Sequence, residues 1–221
     1  ELSSNFSPTY SQFKGPIPVS NVQVTSKKNM SPVFGALFSH KFNEKLGVGA
    51  GYFVSGGTNA EYKSVDYSGV RSGFDEVKPN VMAKLAVTEF SLGAGYKLNE
   101  NFNIGAAWRA VFIKADLGSG KLNTGNTALT TVQMTDFKDK NYAGFKLGAQ
   151  YASSDKKWGA GLTFRNSIKI EAEGDVAAGY EAYAPVSTAH PIALSISGKV
   201  KIKNTFPWNL HLDGYYEVMT D

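Results

Sequence analysis

Residues Phe90–Asp116 read FSLGAGYKLNENFNIGAAWRAVFIKAD. The spacing predicts two strands joined by a short turn at Asn99-Glu100-Asn101. Side chains of a strand point alternately to its two faces. On the first strand Phe90, Leu92, Ala94, Tyr96 and Leu98 therefore share one face, and Ser91, Gly93, Gly95 and Lys97 share the other. On the second, Phe102, Ile104, Ala106, Trp108, Ala110 and Phe112 stand opposite Asn103, Gly105, Ala107, Arg109, Val111 and Ile113. One face is continuously apolar with aromatic ends, and the other is small, polar or mixed. A soluble sandwich fits that pattern as well, so the decision rests on whether the hairpin recurs.

It recurs. LGVGAGYF at Leu46–Phe53 repeats the alternation, with Gly47, Gly49 and Gly51 on one face. Phe145, Leu147, Ala149 and Tyr151 continue it, followed by Trp158, Ala160, Leu162, Phe164, Ile168 and Ile170. Thr163, Arg165, Ser167, Lys169 and Glu171 are expected on the face opposite that last run. A final hairpin is expected from His190–Lys203 and Trp208–Val218, turning at Asn204–Pro207. Tight turns then fall near residues 44, 100, 155 and 205, with long polar stretches at 54–80, 118–138 and 174–189 between them. The repeat is about 50 to 56 residues long, one hairpin plus one long loop. Nine strands result, longer than is usual in soluble folds. Short turns on one rim and long loops on the other are the plan of an outer-membrane barrel. Phe42, Tyr52, Tyr96, Phe102, Tyr151, Trp158 and Trp208 cluster beside the tight turns, where an interfacial aromatic girdle belongs. The expected fold is an all-β, transmembrane antiparallel barrel. Residues 1–221 form a single barrel domain, read as a portion of a larger one.

The composition is consistent with this. No run approaches the roughly 20 apolar residues of a spanning helix, and the mean hydropathy of −0.23 does not argue against a barrel, whose alternating strands score low. There is no Cys, hence no disulfide, thiolate metal site or thiol nucleophile. The net charge is +4 with a pI near 9.0. Its basic residues are scattered, Lys27-Lys28 and Lys156-Lys157 being the doublets, so a nucleic-acid partner is not expected. Enzyme signals are absent too. Gly47–Gly51 lacks dinucleotide spacing, Gly118–Lys121 lacks the phosphate-loop spacing, and His40, His190 and His211 have no metal-ligand spacing. No cofactor is expected.

Three stretches in register resemble one family. Asn43–Tyr62 (NEKLGVGAGYFVSGGTNAEY), Ser91–Leu117 and Trp158–Val176 (WGAGLTFRNSIKIEAEGDV) are similar to successive hairpins of the FadL/TodX family of outer-membrane transporters for long-chain fatty acids and aromatic hydrocarbons. The resemblance implies a fourteen-stranded barrel with an amino-terminal hatch, in the outer membrane of a Gram-negative bacterium. No hatch motif stands ahead of Glu1, and nine strands fall short of fourteen. The expectation is therefore an incomplete barrel, closed by more of the same polypeptide, by a homo-oligomer or by a second chain.

The implied function is passive uptake of a hydrophobic small molecule, such as a long-chain fatty acid or hydrocarbon, with outer-membrane lipid as the other contact. By resemblance, Ser55, Gly56, Gly57 and Thr58 match a strand kinked inward to open the barrel wall; glycine suits such a break. Leu85, Val87, Ala107, Val111 and Ile113 are inward-facing candidates for a lumenal pocket, or for packing against a hatch. Arg109, Arg165 and Lys169 fit either a carboxylate clamp, since the guanidinium fork binds carboxylates bidentately, or a lumenal charge ladder with Glu171, Glu173 and Asp213. Tyr62, Val65, Tyr67, Val70 and Phe74 fit either an external capture groove or packing within their loop. The alternative function is a barrel serving as a binding or assembly partner, a secretion accessory or structural porin that carries no lipid.

Overall fold

A computed structural model describes residues 1–16, 23–67, 78–122, 128–155, 157–182, 192–206 and 209–216. These residues form one antiparallel sheet and a small separate hairpin. The sheet contains β1 (Leu2–Ser11), β4 (Asn29–Lys41), β5 (Leu46–Tyr62), β6 (Val81–Lys97), β7 (Phe102–Leu122) and β8 (Ala128–Ala152). It continues through β9 (Trp158–Arg165), β10 (Ile168–Ala182), β11 (Ile192–Phe206) and β12 (Asn209–Tyr216). The small hairpin pairs β2 (Lys14–Pro16) with β3 (Gln23–Thr25). From β4 to β8, neighbours in sequence are neighbours in the sheet, as the alternating hairpins require.

The last four strands correct the sequence reading. β12 does not fold back on β11. It pairs with β9, Asn209 opposite Arg165, while β11 pairs with β10, Phe206 opposite Ile168. Both pairings keep the same register across the two breaks. β10 and β11 thus continue the lines of β9 and β12 side by side, and Asn204, Thr205 and Phe206, expected in a tight turn, pair with Ile170, Lys169 and Ile168; Pro207 lies outside the described residues. Eight wall strands result among the described residues instead of nine. Their first residues, near Glu1, and their last, at Tyr216 opposite Trp158, both lie at the short-turn rim. Among the described residues no pairing joins β1 to β11 or β12, so the wall is open there.

The strands also outrun the expected loops. β5 continues to Tyr62, β7 and β8 climb to Leu122 and from Ala128, and β10 reaches Ala182. These extensions are rich in Thr, Ser, Gly and charge on both faces. Above the bilayer water solvates either face, so backbone pairing persists where the apolar alternation has stopped. The short turns use one device repeatedly. Asn43 Oδ1 accepts from the N–H groups of Lys45 and Leu46 (both 2.8 Å), and Asn99 Oδ1 accepts from Asn101 and Phe102 (both 2.9 Å). An Asn side chain that caps its own turn fixes the hairpin locally.

The outward face carries the apolar alternation. Tyr52, Leu92, Tyr96, Ile104, Trp108, Phe145, Leu147, Trp158 and Leu162 are all exposed. Large contiguous apolar exposure marks an interaction surface. From Phe102 to Phe112 a strand rises about 33 Å, or about 25 Å along the barrel axis at the usual tilt, the height of an outer-membrane apolar band. The inward face below that level is small: Gly47 faces Gly95, Gly49 faces Gly93, and Gly105 faces both Gly95 and Gly148. At Gly93 an added Cβ would sit 2.8 Å from the Ala107 side chain.

Candidate functional site

Two features stand out in the wall. The first is a window between β4 and β5. Their ladder runs from Lys41↔Gly47 up to Gly35↔Phe53 and then stops. Higher up, β4 pairs only with β1, and β5 only with β6. Ser55 is a bulge: the register of β5 on β6 shifts between Val54 and Gly56, and Ser55 Oγ donates to the Val87 carbonyl (3.3 Å). A bulge bends its strand, and here the bend parts β5 from β4. The window closes again above, where Lys27 N–H donates to the Glu61 carbonyl (2.8 Å) and the Asn59 amide donates to Met30 (3.4 Å). A cavity of about 460 Å³ fills the gap, lined by Met30, Pro32 and Phe34 on one side and by Ser55, Gly56 and Thr58 on the other. All four residues expected at the wall break, Ser55, Gly56, Gly57 and Thr58, line it.

The second feature is on the inward face. Leu85, Val87, Val111 and Ile113 come together as expected, joined by Phe137, Ile168, Ile170 and Ala172 in one apolar cluster. Directly below it lies a charged group the sequence reading missed. Glu89, wholly buried, accepts from Arg109 Nη2 (2.6 Å), from Ser91 Oγ (2.7 Å) and from Lys146 Nζ (2.6 Å). Lys146 also lies over the Phe53 ring, 5.3 Å from its centroid. Arg165 is close enough to interact electrostatically with both Glu89 and Arg109. Three cations thus surround one carboxylate. Among the described residues Arg109 Nε and Nη1 have no hydrogen-bond partner, although its side chain is only 5% exposed. Ala107, one step down the same face, is half-buried against the glycine floor. Glu89 had a signal in the sequence: a lone acid in the apolar run of β6, on the same face as Ser91 and Gly93. An ionisable residue at membrane depth is paired or functional.

Lys169 does not join this group. The alternation reverses at Asn166–Ser167: Leu162 is exposed on the outside, whereas Ile168, Ile170 and Ala172 are buried inside. Lys169, Glu171 and Glu173 are therefore exposed on the outer wall, and the inward ladder expected of them does not form. Glu171 and Glu173 stand opposite Lys203 and Lys201 in the register instead. Asp213 is in β12, opposite Gly161. In the loop after β5, Val65 and Tyr67 are buried rather than presented outward. They pack with Leu122, Leu129 and Tyr62, and Tyr67 Oη donates to the Gly120 carbonyl (3.0 Å). Burial there raises the Tyr67 phenol above its usual range. Of the two readings of this loop, internal packing holds for these residues; Val70 and Phe74 lie outside the described residues.

An antiparallel wall with an apolar exterior, short turns on one rim and a charged, glycine-floored interior defines a transmembrane β-barrel protein. Residues 5–221 match the family model of outer membrane protein transport proteins (OMPP1/FadL/TodX). The chain belongs to that family, which places it in the outer membrane of Gram-negative bacteria; the family's members are transporters and channels. The toluene transporter TodX of Pseudomonas putida superposes with a TM-score of 0.69 at 15% identity, covering 98% of this chain and 56% of TodX. The CymD monoaromatic hydrocarbon channel gives 0.59 at 17% identity, with 99% and 55% covered. The toluene transporter TbuX of Ralstonia pickettii gives 0.59 at 16%, with 98% and 56% covered. The chain thus spans about half the length of these structures. No curated protein matches the sequence.

Proposed function

We propose that this chain supplies part of the wall and the lumenal site of an outer-membrane channel for passive uptake of hydrophobic small molecules, including long-chain fatty acids. The observation that carries the reading is the β4–β5 window. A break in strand pairing at membrane depth is tolerated only where the groups it frees are satisfied or line a cavity, and this one opens on about 460 Å³ with an apolar lining. That size suits a small apolar ligand.

The ligand enters from the long-loop side and rests against Leu85, Val87, Val111 and Ile113. A carboxylate head, where present, meets the two unpaired nitrogens of Arg109. The ligand then leaves sideways past Gly56 into the bilayer, where burying each CH₂ gains about 0.8 kcal/mol. No cofactor or energy source takes part. Further strands, from the same polypeptide or a second copy, close the wall, since lipid does not tolerate a free sheet edge.

The test is uptake of labelled oleate and of toluene by cells whose hydrophobe uptake depends on this channel. Gly56 has no atom within 4 Å of an added Cβ, so Gly56→Leu starts its side chain in open space at the window. Uptake should fall at least fivefold while the protein still folds. Undiminished uptake of both probes by that variant rules out the window as the main route.

A further inference from the structure

The wall has a second interruption, between β8 and the β9–β10 strand. Ladder pairing holds β8 to β9 from Ala152↔Gly159 up to Lys146↔Arg165, and holds β8 to β10 from Glu173↔Lys138 upward. Between these, residues 139–145 of β8 and 166–172 opposite them form no ladder. The seam is closed mainly by side chains. Asn166 Oδ1 accepts from Phe145 N–H (2.7 Å) and its Nδ2 donates to the Ala143 carbonyl (3.0 Å). Asn141 Nδ2 donates to the Lys169 carbonyl (2.6 Å), and Asp139 Oδ2 accepts from Glu171 N–H (2.7 Å). One long backbone bond adds to these, Asn166 N–H to the Phe145 carbonyl at 3.3 Å. Across the other edge of β8 the ladder to β7 continues through Val111↔Asn141 and Ile113↔Asp139, so the seam opens on one side only.

What flanks the seam gives it a direction. Inside lie Ile168 and Ile170, packed on Val111 and Ile113 of the apolar cluster. Outside lie Tyr142 and Trp108, both exposed and stacked with centroids 6.4 Å apart. Trp108 Nε1–H donates to the Tyr142 carbonyl at the β8 bulge (2.6 Å), so that carbonyl keeps a partner facing lipid whether or not the seam is closed. A laddered wall holds neighbouring strands about 4.8 Å apart and admits nothing. A wall spanned by Asn and Asp side chains separates when those side chains change rotamer, and each returns to a local backbone partner. Asn141 Oδ1 already accepts from Ala143 N–H, and Asp139 Oδ1 from Lys140 N–H.

We infer that this seam is a second lateral passage, a latch of Asn141, Asn166 and Asp139 through which an apolar ligand moves between the lumenal cluster and the bilayer. It rests on the channel reading above and uses the same ligand class by a route four strands from the β4–β5 window.

The test uses the full chain in a membrane, with oleate and toluene as probes. The chain has no Cys, so Ala143→Cys with Ser167→Cys places thiols, both at exposed positions, across the seam without background. In a Gly56→Leu background, a reducible bifunctional thiol cross-linker should cut the residual uptake at least fivefold, and reductant should restore it. Residual uptake indifferent to the cross-link, or no residual uptake in the Gly56→Leu chain beside a transporting wild type, overturns the second passage and leaves the channel reading standing. A wild type that transports neither probe defeats the channel reading itself. The latch is then judged by hydrogen exchange alone. The seam-facing amides of Phe145, Asn166 and Glu171 should exchange at least tenfold faster than those of 146–152 that face β9, and faster still in Asn141→Ala with Asn166→Ala. Equal exchange overturns it.

Discussion

Arg109 Nη2 lies 2.6 Å from Glu89 Oε2, with both side chains enclosed inside the wall. They sit diagonally on β6 and β7, since Ser91 is the residue directly opposite Arg109. Lys146 reaches the other carboxylate oxygen from β8. One acid therefore ties three adjacent strands together just below the apolar cluster.

Removing that acid should be costly. Glu89→Ala leaves Arg109 buried and Lys146 half-buried with no counter-charge, and breaking a buried pair from one side typically costs about 3–5 kcal/mol. Glu89→Met with Arg109→Met and Lys146→Met should recover most of the loss, because the charges go together. Denaturant unfolding in detergent micelles checks both. A Glu89→Ala protein as stable as wild type would show the cluster to be solvated rather than enclosed.

Arg109 also separates two ligand chemistries. Its Nε and Nη1 have no partner among the described residues. A carboxylate docks there with charge-assisted bonds, whereas a neutral hydrocarbon gains nothing from them. Arg109→Met should weaken oleate binding to the purified protein at least tenfold and leave toluene binding within about twofold. Such bonds contribute about 1.5–3 kcal/mol, which corresponds to that ratio. Equal losses for both ligands would show that Arg109 acts only through the fold.

Adjacent glycines in the window behave differently. A Cβ on Gly57 would meet the Leu85 carbonyl oxygen at 2.5 Å, a backbone atom that cannot move aside cheaply. A Cβ on Gly56 meets open space. Gly57→Ala should destabilise by about 1–3 kcal/mol, the usual range for overpacking, and Gly56→Ala should be close to neutral. Thermal unfolding of the two variants in the same detergent distinguishes them.

The hairpins were legible in the sequence because lipid imposes alternation: Leu92, Ala94 and Tyr96 against Gly93 and Gly95 read as a two-faced strand, and the recurrence of that pattern decided for a barrel wall. The residues that line the β4–β5 gap, Ser55–Thr58, drew notice in the sequence through their paired glycines and the family resemblance. Three things were hidden. The strand extensions above the bilayer lost the alternation, since water accepts Thr and Ser on either face. The reversal at Asn166–Ser167 put Lys169 on the wrong side, because one extra residue in a strand changes the parity of every later residue. The pairing of β12 with β9 was hidden because Asn204 reads as a turn residue although it lies in the ladder to β10. Glu89 went unread, although it stands as a lone acid in the apolar run of β6. Its partners come from strands 20 and 57 residues along the chain, and no local pattern links them.

The turn before β9 gives a pH test. Ser153 Oγ donates to Asp155 Oδ1, and Lys157 N–H donates to the same oxygen (3.1 Å). The Ser153 hydroxyl, then the Lys157 N–H, hold this carboxyl below the usual carboxylate range. A folded-state pKa depressed in this way adds stability above the unfolded value, and that contribution is lost as pH falls through the folded one. Asp155 is fully exposed, so the effect is local. Asp155→Asn should therefore unfold more readily than wild type at neutral pH, with the difference shrinking as the pH drops below the ordinary carboxylate range. A difference that persists unchanged into strong acid would mean that the turn depends on the shape of the side chain and not on its charge.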